Sequence, residues 1–373
     1  MDGVDAVLVR FTKGQGQTLG SLTYAYPPGL HERLHAAIAP EARLSLHEYA
    51  SLDIEVGDSF ASAASHLLAR YNTQTCELVA VGSHGQTLRH APRADWPYSV
   101  QIGSPSVITA RLGVVTVADF RSMDIAYGGE GAPLVPAFHD WMLRGAEENL
   151  VVGNIGGIAN LSLLPACSTA AIGGYDTGPG NCLMDSWSAR HRGLPYDEKG
   201  EWAASGRVDC ELLNAMLRDP YYAMPAPKST GREVFNLAYL DHILAGSPNF
   251  GELSACDVQA TLAELTVESL AREVEKLGPE WVSRMLICGG GSHNSYLMGR
   301  LAARLSPITV TSTDSVGIDP DMIEACAFAW LAYMRLQERP VRVTTGPVGK
   351  AVILGCVYLP TAEGRGQARL VSD

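Results

Sequence analysis

One carboxylate in this sequence stands on a turn that could hold it rigidly. Asp176 is followed by Thr177-Gly178-Pro179-Gly180-Asn181, and the apolar spacing from Leu183 onward is typical of a helix. Asn181 stands where a helix N-cap is expected, so Asp176 is predicted beside a helix N-terminus, which favours anions. A rigidly held acid can act as a general base. A turn-forming or capping role is the simpler alternative for one acidic residue considered alone.

Several Gly-rich turns follow short apolar runs that are typical of buried strands. Backbone N–H groups at such turns can cradle phosphates, although each turn by itself could be only a tight loop. The sequence contains no P-loop, no complete dinucleotide fingerprint, no nucleophile elbow and no protein-kinase signature. Strands that end in Gly-rich turns, with helices between them, predict an α/β fold with a nucleotide cleft. The turns are Gly82-Ser83-His84-Gly85, Asn154-Ile155-Gly156-Gly157 and Gly289-Gly290-Gly291.

The composition limits the class of protein. A chain of 373 residues with 46% hydrophobic and 18% charged residues is typical of a globular protein with two domains. The net charge of −12 argues against binding to nucleic acid or to an anionic membrane. Eight scattered cysteines, no visible signal segment and no apolar run long enough to cross a bilayer predict a reduced, soluble, cytoplasmic protein.

Eight motifs occur in a fixed order along nearly the whole chain. They are GSHGQT (82–87), DFR (119–121), GAPLVPAFH (131–139), NIGGIAN (154–160), DTGPGNCLMDSW (176–187), KSTGRE (228–233), DVQAT (257–261) and CGGG (288–291). This ordered set closely resembles the anhydro-N-acetylmuramic acid kinase family. The resemblance implies a two-lobed actin/hexokinase-like (ASKHA) fold that binds ATP between its lobes. We expect an N-terminal lobe over 1–122, joined by about 345–373, and a C-terminal lobe over 123–344.

The resemblance also implies a reaction. Members of the family open the 1,6-anhydro bridge of anhydro-N-acetylmuramic acid with water and phosphorylate O6, which yields N-acetylmuramate 6-phosphate and ADP during peptidoglycan recycling. ATP and Mg²⁺ are the implied cofactors, and the sugar and ATP are the implied small-molecule partners. Several such enzymes are dimers, so a homodimer is an open expectation.

The matching motifs imply roles for particular residues. Asp176 occupies the position of the catalytic base. The sugar contacts are expected from His84, Arg121, Lys228 and Arg232. The phosphate and nucleotide contacts are expected from Asp2, Gly3, Asp5, Asn154, Gly156, Gly157, Gly289, Gly290 and Gly291, with Asp2 as the candidate metal ligand.

Two departures from the family pattern leave alternatives open. The chain begins at Met1, inside the first phosphate loop of the family, so we expect about a dozen residues to be missing relative to its members. Glu130 stands where the family usually has Gln, which could favour an uncharged anhydrosugar if the side chain faced the substrate. The alternatives are therefore a kinase for another anhydrosugar, such as levoglucosan, or a truncated and inactive nucleotide-binding homologue.

Overall fold

The computed structural model describes residues 3–12, 15–39, 41–144, 148–166, 173–278, 280–342 and 351–361. Strands and helices alternate along them, which confirms the predicted α/β class. The strands are β1 (Gly3–Thr12), β2 (Gln15–Ala25), β3 (Val81–Gly82), β4 (Gln86–Ala91), β5 (Tyr98–Ile102), β6 (Thr116–Ala118), β7 (Leu150–Ile155), β8 (Ile158–Leu164), β9 (Gly173–Pro179), β10 (Arg284–Cys288), β11 (Thr309–Ser312), β12 (Val341–Arg342), β13 (Ala351–Val352) and β14 (Cys356–Tyr358). The helices are α1 (Pro28–Ile38), α2 (Leu46–Arg70), α3 (Pro105–Leu112), α4 (Ser122–Ala126), α5 (Val135–Leu143), α6 (Cys182–Arg192), α7 (Glu201–Ser205), α8 (Cys210–Met216), α9 (Pro220–Ala223), α10 (Leu237–Leu244), α11 (Ala255–Glu275), α12 (Ser295–Leu305) and α13 (Ile323–Leu336).

The chain divides into two compact units. Unit 1 comprises Met1–Met142 together with Glu324–Asp373, and unit 2 comprises Leu143–Ile323. The predicted division at 122/123 and 344/345 therefore lies about 20 residues away from each observed boundary. Helices α5 and α13, which the prediction assigned to the C-terminal lobe, belong almost entirely to unit 1.

Aromatic packing explains why α5 and α13 join unit 1. The ring centroids of Trp141 on α5 and Trp330 on α13 lie 5.8 Å apart. Phe11 of β1 stacks on Tyr333 of α13 at 4.9 Å and meets the edge of Trp141 at 5.8 Å. Rings of this size contribute a large part of the burial energy of a core, so both helices are held to the first strand of the chain.

Unit 1 is built around a long helix and several small sheets. Strands β1 and β2 form an antiparallel hairpin, while β3 and β14 flank β6. Helix α2 begins at a capping box in which Ser45 and Glu48 satisfy each other's backbone N–H groups. Its apolar face contributes Leu52 and Val56 to a core shared with α1.

Unit 2 contains one five-stranded sheet and a central helix. The strand order is β11-β10-β7-β8-β9, with β10 parallel to both its neighbours and β8 antiparallel to both of its own. Helix α11 begins at Ser254, whose side chain accepts a hydrogen bond from the Asp257 N–H. Most of its residues are buried, including several polar ones, because it passes through the main core of the unit.

A search of the described residues finds no helix that combines the length and the apolar character needed to cross a bilayer.

The aromatic cluster of unit 1 predicts a large stability effect at Trp330, which is 3% exposed. We expect Trp330→Ala to destabilise unit 1 by about 3–5 kcal/mol, because truncating a buried Trp removes its burial and leaves a cavity. The measurement is the denaturant midpoint of unfolding, followed by circular dichroism. Trp96, which is 87% exposed, gives the matched control, since Trp96→Ala should change stability by less than about 0.5 kcal/mol. Equal midpoints for the two variants would contradict the assignment of this core.

Candidate active site

Strand register in unit 2 brings the predicted base and the predicted phosphate residues into one row. Asn154 on β7 lies opposite Asn160 on β8, and Asn160 lies opposite Asp176 on β9. Cys288, at the end of β10, lies opposite Asn154 on its other side. Directly opposed residues of paired strands leave the sheet on the same face. With strands about 4.8 Å apart, Asp176 stands about 10 Å from Asn154 across this row.

A β-bulge lies immediately after Asp176. Asn160 pairs with Asp176 but Ala159 pairs with Gly178, so Thr177 is an extra residue on β9. Thr177 is fully buried, and its hydroxyl donates to the carbonyl of Ala159 at 3.3 Å. Bulges bend a strand and redirect its side chains, and they are frequent beside active sites. Here the bulge bends β9 between Asp176 and the Gly-Pro-Gly turn that follows it.

Three hydrogen bonds hold Asp176. Its N–H donates to the carbonyl of Lys228 at 3.0 Å, its carbonyl accepts from the Tyr221 hydroxyl at 2.6 Å, and its Oδ2 accepts from the Thr230 N–H at 3.0 Å. Burial raises the pKa of Asp176 to about 6; the bond from Thr230 opposes this rise and the charge of Glu233 adds to it. The carboxylate is therefore ionised at neutral pH and is more basic than an ordinary Asp.

The Gly-Gly hairpin tip docks on the start of α6. The Gly156 carbonyl accepts from Asn181 N–H at 2.7 Å, and the Gly157 carbonyl accepts from the N–H groups of Gly180 at 2.9 Å and Cys182 at 3.1 Å. Asn181 is the residue immediately before α6, as predicted, but its side chain does not make the predicted capping hydrogen bond. Its side chain instead donates to the carbonyl of Ile155 at 3.1 Å. The tip thus satisfies the backbone N–H groups at the entry to α6, up to that of its first residue, Cys182.

The second Gly-rich turn packs against the same strand end. Gly289 has φ +79°, and a Cβ there would lie 2.4 Å from the Asn154 side-chain oxygen. A Cβ on Gly291 would lie 2.3 Å from the Ile155 side chain. Gly290 is different, since it is exposed and has room for a Cβ, with the Asn181 amide 3.9 Å away. Gly289 and Gly291 therefore serve the packing of two turns, while the face at Gly290 is open to a ligand.

Two of the predicted sugar-binding cations lie in unit 2, in opposite environments. The Lys228 ammonium is buried and pairs with Glu273 at 2.8 Å. This burial does not support the predicted contact between Lys228 and the sugar, because the charge is already neutralised inside the core. Arg232 is exposed, and its guanidinium lies so close to Gly157 that a Cβ there would be 2.5 Å from Nη2. Arg232 is thus an accessible cation beside the hairpin tip.

The other two predicted sugar contacts, His84 and Arg121, touch each other in unit 1. Arg121 donates from Nε at 3.0 Å and from Nη2 at 2.8 Å to His84 Nε2, and from Nη1 to the carbonyl of Gly131 at 2.6 Å. Burial, together with the Arg121 charge, lowers the pKa of His84 to about 3, so the ring is neutral. Burial lowers the pKa of Arg121 to about 10, and the charge of Glu324 partly offsets this. Arg121 therefore keeps its charge at neutral pH.

His84 also lines a recess of unit 1 with a volume of about 230 Å³. Three lining residues have left-handed backbones: Gly85 at φ +77°, Gly103 at φ +120° and Asp119 at φ +57°. A left-handed backbone is uncommon for a residue other than glycine, here Asp119, and such residues cluster at functional sites. The buried Ser83 hydroxyl, also in the lining, has no hydrogen-bond partner among the described residues. The recess thus offers polar groups that a hydroxylated ligand could satisfy.

The predicted first phosphate loop is described only in part. Asp2 lies outside the described residues. Gly3 begins β1 opposite Ala25, and Asp5 is exposed and accepts from the Thr23 hydroxyl at 2.6 Å. Within the described part of the chain, no group of three or more His, Cys, Asp or Glu side chains could hold a metal ion.

Two residues of the site region were missed by sequence reasoning. Asn160 was part of a quoted motif, but only strand register shows that it lies between Asn154 and Asp176. Glu273 is one of two buried carboxylates on α11, a helix that also buries several uncharged polar side chains. A charge at such a position must be paired, which is a signal the sequence did contain.

The comparisons with known proteins agree on one family. The sequence matches the family model described as "Anhydro-N-acetylmuramic acid kinase" over residues 1–360. Proteins with that name from two strains of Xanthomonas oryzae pv. oryzae are 45% identical over 362 residues, which is 96% of this chain and 94% of theirs. The family match begins at residue 1, and the comparisons do not bear out the expected N-terminal truncation.

Similar solved structures were also found. An activator of 2-hydroxyisocaproyl-CoA dehydratase from Clostridium difficile with bound ADPNP gives a TM-score of 0.41 at 10% identity, over 75% of this chain and 82% of that one. A ROK-family glucokinase from Streptomyces griseus with glucose and AMPPNP gives 0.37 at 11% identity, over 88% and 99%.

The environment of Asp176 predicts that Asp176→Asn stabilises the protein in a pH-dependent way. The folded-state pKa of about 6 lies above the ordinary value of 3.8, so ionisation opposes folding. The contribution of the Asp to stability is full below pH 4 and is lost as the pH rises through 6. We expect the Asn variant to be more stable by about 1–3 kcal/mol at pH 8, with the gain shrinking toward pH 4.5.

Denaturant titrations at the two pH values measure this difference. Asp241→Asn is the control, and its change in stability at pH 8 should have the opposite sign, because Arg190 holds the pKa of Asp241 below its usual range. A gain at pH 8 for Asp241→Asn, or none for Asp176→Asn, would contradict the account.

Proposed function

Because the chain belongs to the anhydro-N-acetylmuramic acid kinase family, we propose that it hydrolyses the 1,6-anhydro bridge of anhydro-N-acetylmuramic acid and phosphorylates O6 with ATP. The products are N-acetylmuramate 6-phosphate and ADP, and the place of the reaction is peptidoglycan recycling in the cytoplasm. The observation that carries the proposal is the position of Asp176, a raised-pKa carboxylate in one strand row with Asn154 and beside the Gly-rich turns.

The proposed chemistry assigns one proton transfer to Asp176. The carboxylate accepts a proton from water as the water oxygen bonds to the anomeric carbon. The bond between that carbon and O6 breaks, and O6 bonds to the γ-phosphorus of ATP as ADP leaves. A base with a pKa of about 6 combines an ionised form at neutral pH with useful proton affinity, which general-base catalysis favours.

The nucleotide is assigned to the Gly-rich turns of unit 2. The exposed face at Gly290 admits a ligand without displacing protein atoms, and the accessible Arg232 beside Gly157 supplies positive charge for a phosphate or a carboxylate. Mg²⁺ accompanies ATP in phosphoryl transfer and would neutralise phosphate charge when bound. Asp2 stays its predicted ligand, and no step above depends on it.

The sugar is assigned to His84, Arg121 and the adjoining recess. Hydroxyls of the sugar can bond to the unsatisfied Ser83 hydroxyl, and the charged Arg121 suits the lactyl carboxylate. Glu130 does not oppose that carboxylate strongly, because its own carboxylate pairs with Arg93 at 2.7 Å. Dimerisation, which the resemblance implies for several members, stays a prediction.

A kinase for an uncharged anhydrosugar such as levoglucosan is the second candidate. The specific observation in its favour is that two carboxylates, Asp53 and Asp119, line the recess and would repel the lactyl group if it entered there. The two candidates share Asp176 and differ only in the sugar.

Asp176→Asn should reduce turnover by about 10²–10⁴-fold, because it removes the general base, while the dissociation constant for ATP stays within about twofold. In the parent protein, kcat/KM should rise with pH through about 6 and reach a plateau above 7, since the ionised carboxylate is the active form. The measurement is ADP release, with mass spectrometry of the products from anhydro-N-acetylmuramic acid and, in parallel, from levoglucosan.

A product heavier than the muramic sugar by water plus phosphate supports the first candidate, and such a product from levoglucosan alone supports the second. No product from either sugar, or an Asn variant with more than about a tenth of the parent turnover, contradicts the proposal, since base removal normally costs far more.

Gly290→Ala tests the nucleotide assignment without disturbing the fold. The structure has room for the added methyl, so the melting temperature should stay unchanged, whereas a nucleotide lying on Gly290 would meet it. We expect ATP to bind about tenfold more weakly, or about 1.4 kcal/mol, by titration calorimetry. Gly299→Ala, on α12 with open space at its Cβ, is the control and should bind ATP normally. Unchanged ATP affinity in Gly290→Ala would remove this turn from the nucleotide site.

A further inference from the structure

A buried ion pair in unit 2 is joined to the backbone around Asp176. The Lys228 ammonium lies 2.8 Å from Glu273 Oε1, and the two side chains are 0% and 5% exposed. Lys228 comes from the loop after α9, whereas Glu273 comes from the C-terminal half of the central helix α11. The pair therefore ties that loop to the most buried helix of the unit.

Two of the three hydrogen bonds of Asp176 end on the loop that this pair secures, and the third ends on a residue that Lys228 contacts. The carbonyl of Lys228 accepts from the Asp176 N–H, and two residues later the Thr230 N–H donates to the carboxylate. The third donor, the Tyr221 hydroxyl, belongs to a ring over which the Lys228 ammonium lies at 4.8 Å. The same ammonium donates to the Tyr221 carbonyl at 3.4 Å.

Glu273 also reaches the strand of Asp176 directly. Its Oε2 accepts from the hydroxyl of Tyr175, the residue before Asp176, at 3.4 Å, and its Oε1 accepts from Lys276 at 2.9 Å. One carboxylate on α11 thus touches both β9 and the loop that pairs with it. Hydrogen-bonded networks of this kind fix side chains in one arrangement when every member is satisfied.

Stability alone does not account for a charge pair at this depth. Burying two ions carries a large desolvation cost, and replacing such a pair with apolar residues is often neutral or stabilising. A pair that is retained at this cost can serve to fix a single geometry. The geometry that this pair fixes is that of Lys228, Thr230 and Tyr221 around Asp176.

We propose that Lys228 and Glu273 are positioning residues that hold the carboxylate of Asp176 in the orientation in which it accepts a proton. This inference rests on the proposed function of Asp176 as the base. It replaces the predicted sugar contact of Lys228 with a role that acts through the backbone and through Thr230.

The test is the double variant Lys228→Met with Glu273→Leu, which removes both charges at similar volume and so leaves no buried ion without a partner. We expect kcat to fall roughly 10–100-fold, as for lost supporting contacts in other sites, with KM for ATP and the melting temperature little changed. Loss of the Thr230 bond, which stabilises the ionised form, should also move the acidic limb of the pH profile to higher pH. Glu233 and Tyr221 are the other titratable groups that interact with Asp176, and the variant keeps both.

A second pair on the same helix supplies the matched control. Glu264 of α11 pairs with Arg300 of α12 through two bonds of 2.8 Å, and neither contacts the residues around Asp176. The double variant Glu264→Leu with Arg300→Met should keep the parent kcat and the parent pH profile. Restoring the charges in reversed order, as Lys228→Glu with Glu273→Lys, should recover part of the lost turnover.

A readout independent of turnover separates this inference from the proposed function. Carboxyl carbon NMR of Asp-labelled protein gives the titration of Asp176, identified by the signal missing in Asp176→Asn. A raised titration midpoint in the Lys228/Glu273 variant but not in the Glu264/Arg300 variant supports the positioning role. This conclusion holds even if the protein turns over no sugar, because the absence of turnover would refute only the proposed function. An unchanged midpoint together with unchanged kcat would overturn the inference.

Discussion

The register of the five-stranded sheet in unit 2 is the constraint on which the candidate site depends. Asn154, Asn160 and Asp176 come from three different strands and share one row only because β7, β8 and β9 pair as they do. A slip of one residue would turn each side chain to the opposite face. The buried apolar residues that alternate with them, such as Ile155, Ala159 and Tyr175, make such a slip costly, because they would then face water. Core packing on one face therefore fixes the polar row on the other.

Close packing between turns gives the glycines of this site two functions. A Cβ on Gly180 would lie 2.3 Å from the Gly156 carbonyl oxygen, and one on Gly291 would lie equally close to Ile155. These positions need glycine for the protein itself to pack, whether or not a phosphate binds nearby. Gly290 has no such need. Tight packing thus explains Gly291, whereas a nucleotide site would use Gly290. The two interpretations are compatible because they apply to different residues of the same turn.

Local sequence patterns predicted the helices and strands well, but they did not predict which residues distant in sequence contact one another. The helix predicted from Leu183 onward is α6, and the Gly289-Gly290-Gly291 turn follows a buried strand, β10, as predicted, because apolar periodicity and bounding turns act over a few residues. The predicted sugar contact of Lys228 came from the family resemblance alone; its partner Glu273 is distant in sequence, and no local pattern links the two. The cap at Asn181 failed for a related reason, since the carbonyl of Ile155 competes for its side chain. The lobe boundaries also depended on contacts between distant aromatic residues, Phe11 and Tyr333 among them.

The basicity of Asp176 is the net result of opposing influences, of which burial is the largest. Burial and the nearby charge of Glu233 raise its pKa, and the Thr230 N–H lowers it, with a result of about 6. With less burial, the carboxylate would approach the ordinary pKa of 3.8 and would accept a proton from water less readily. Without the Thr230 bond, a larger share of the molecules would hold the proton at neutral pH and could not act as a base. In the proposed mechanism, the position of one backbone N–H group therefore helps to set the fraction of active enzyme, and that position depends on how firmly the loop from Lys228 to Thr230 is held. A rigid loop next to Asp176 is thus a requirement of the proposed chemistry as much as of the fold.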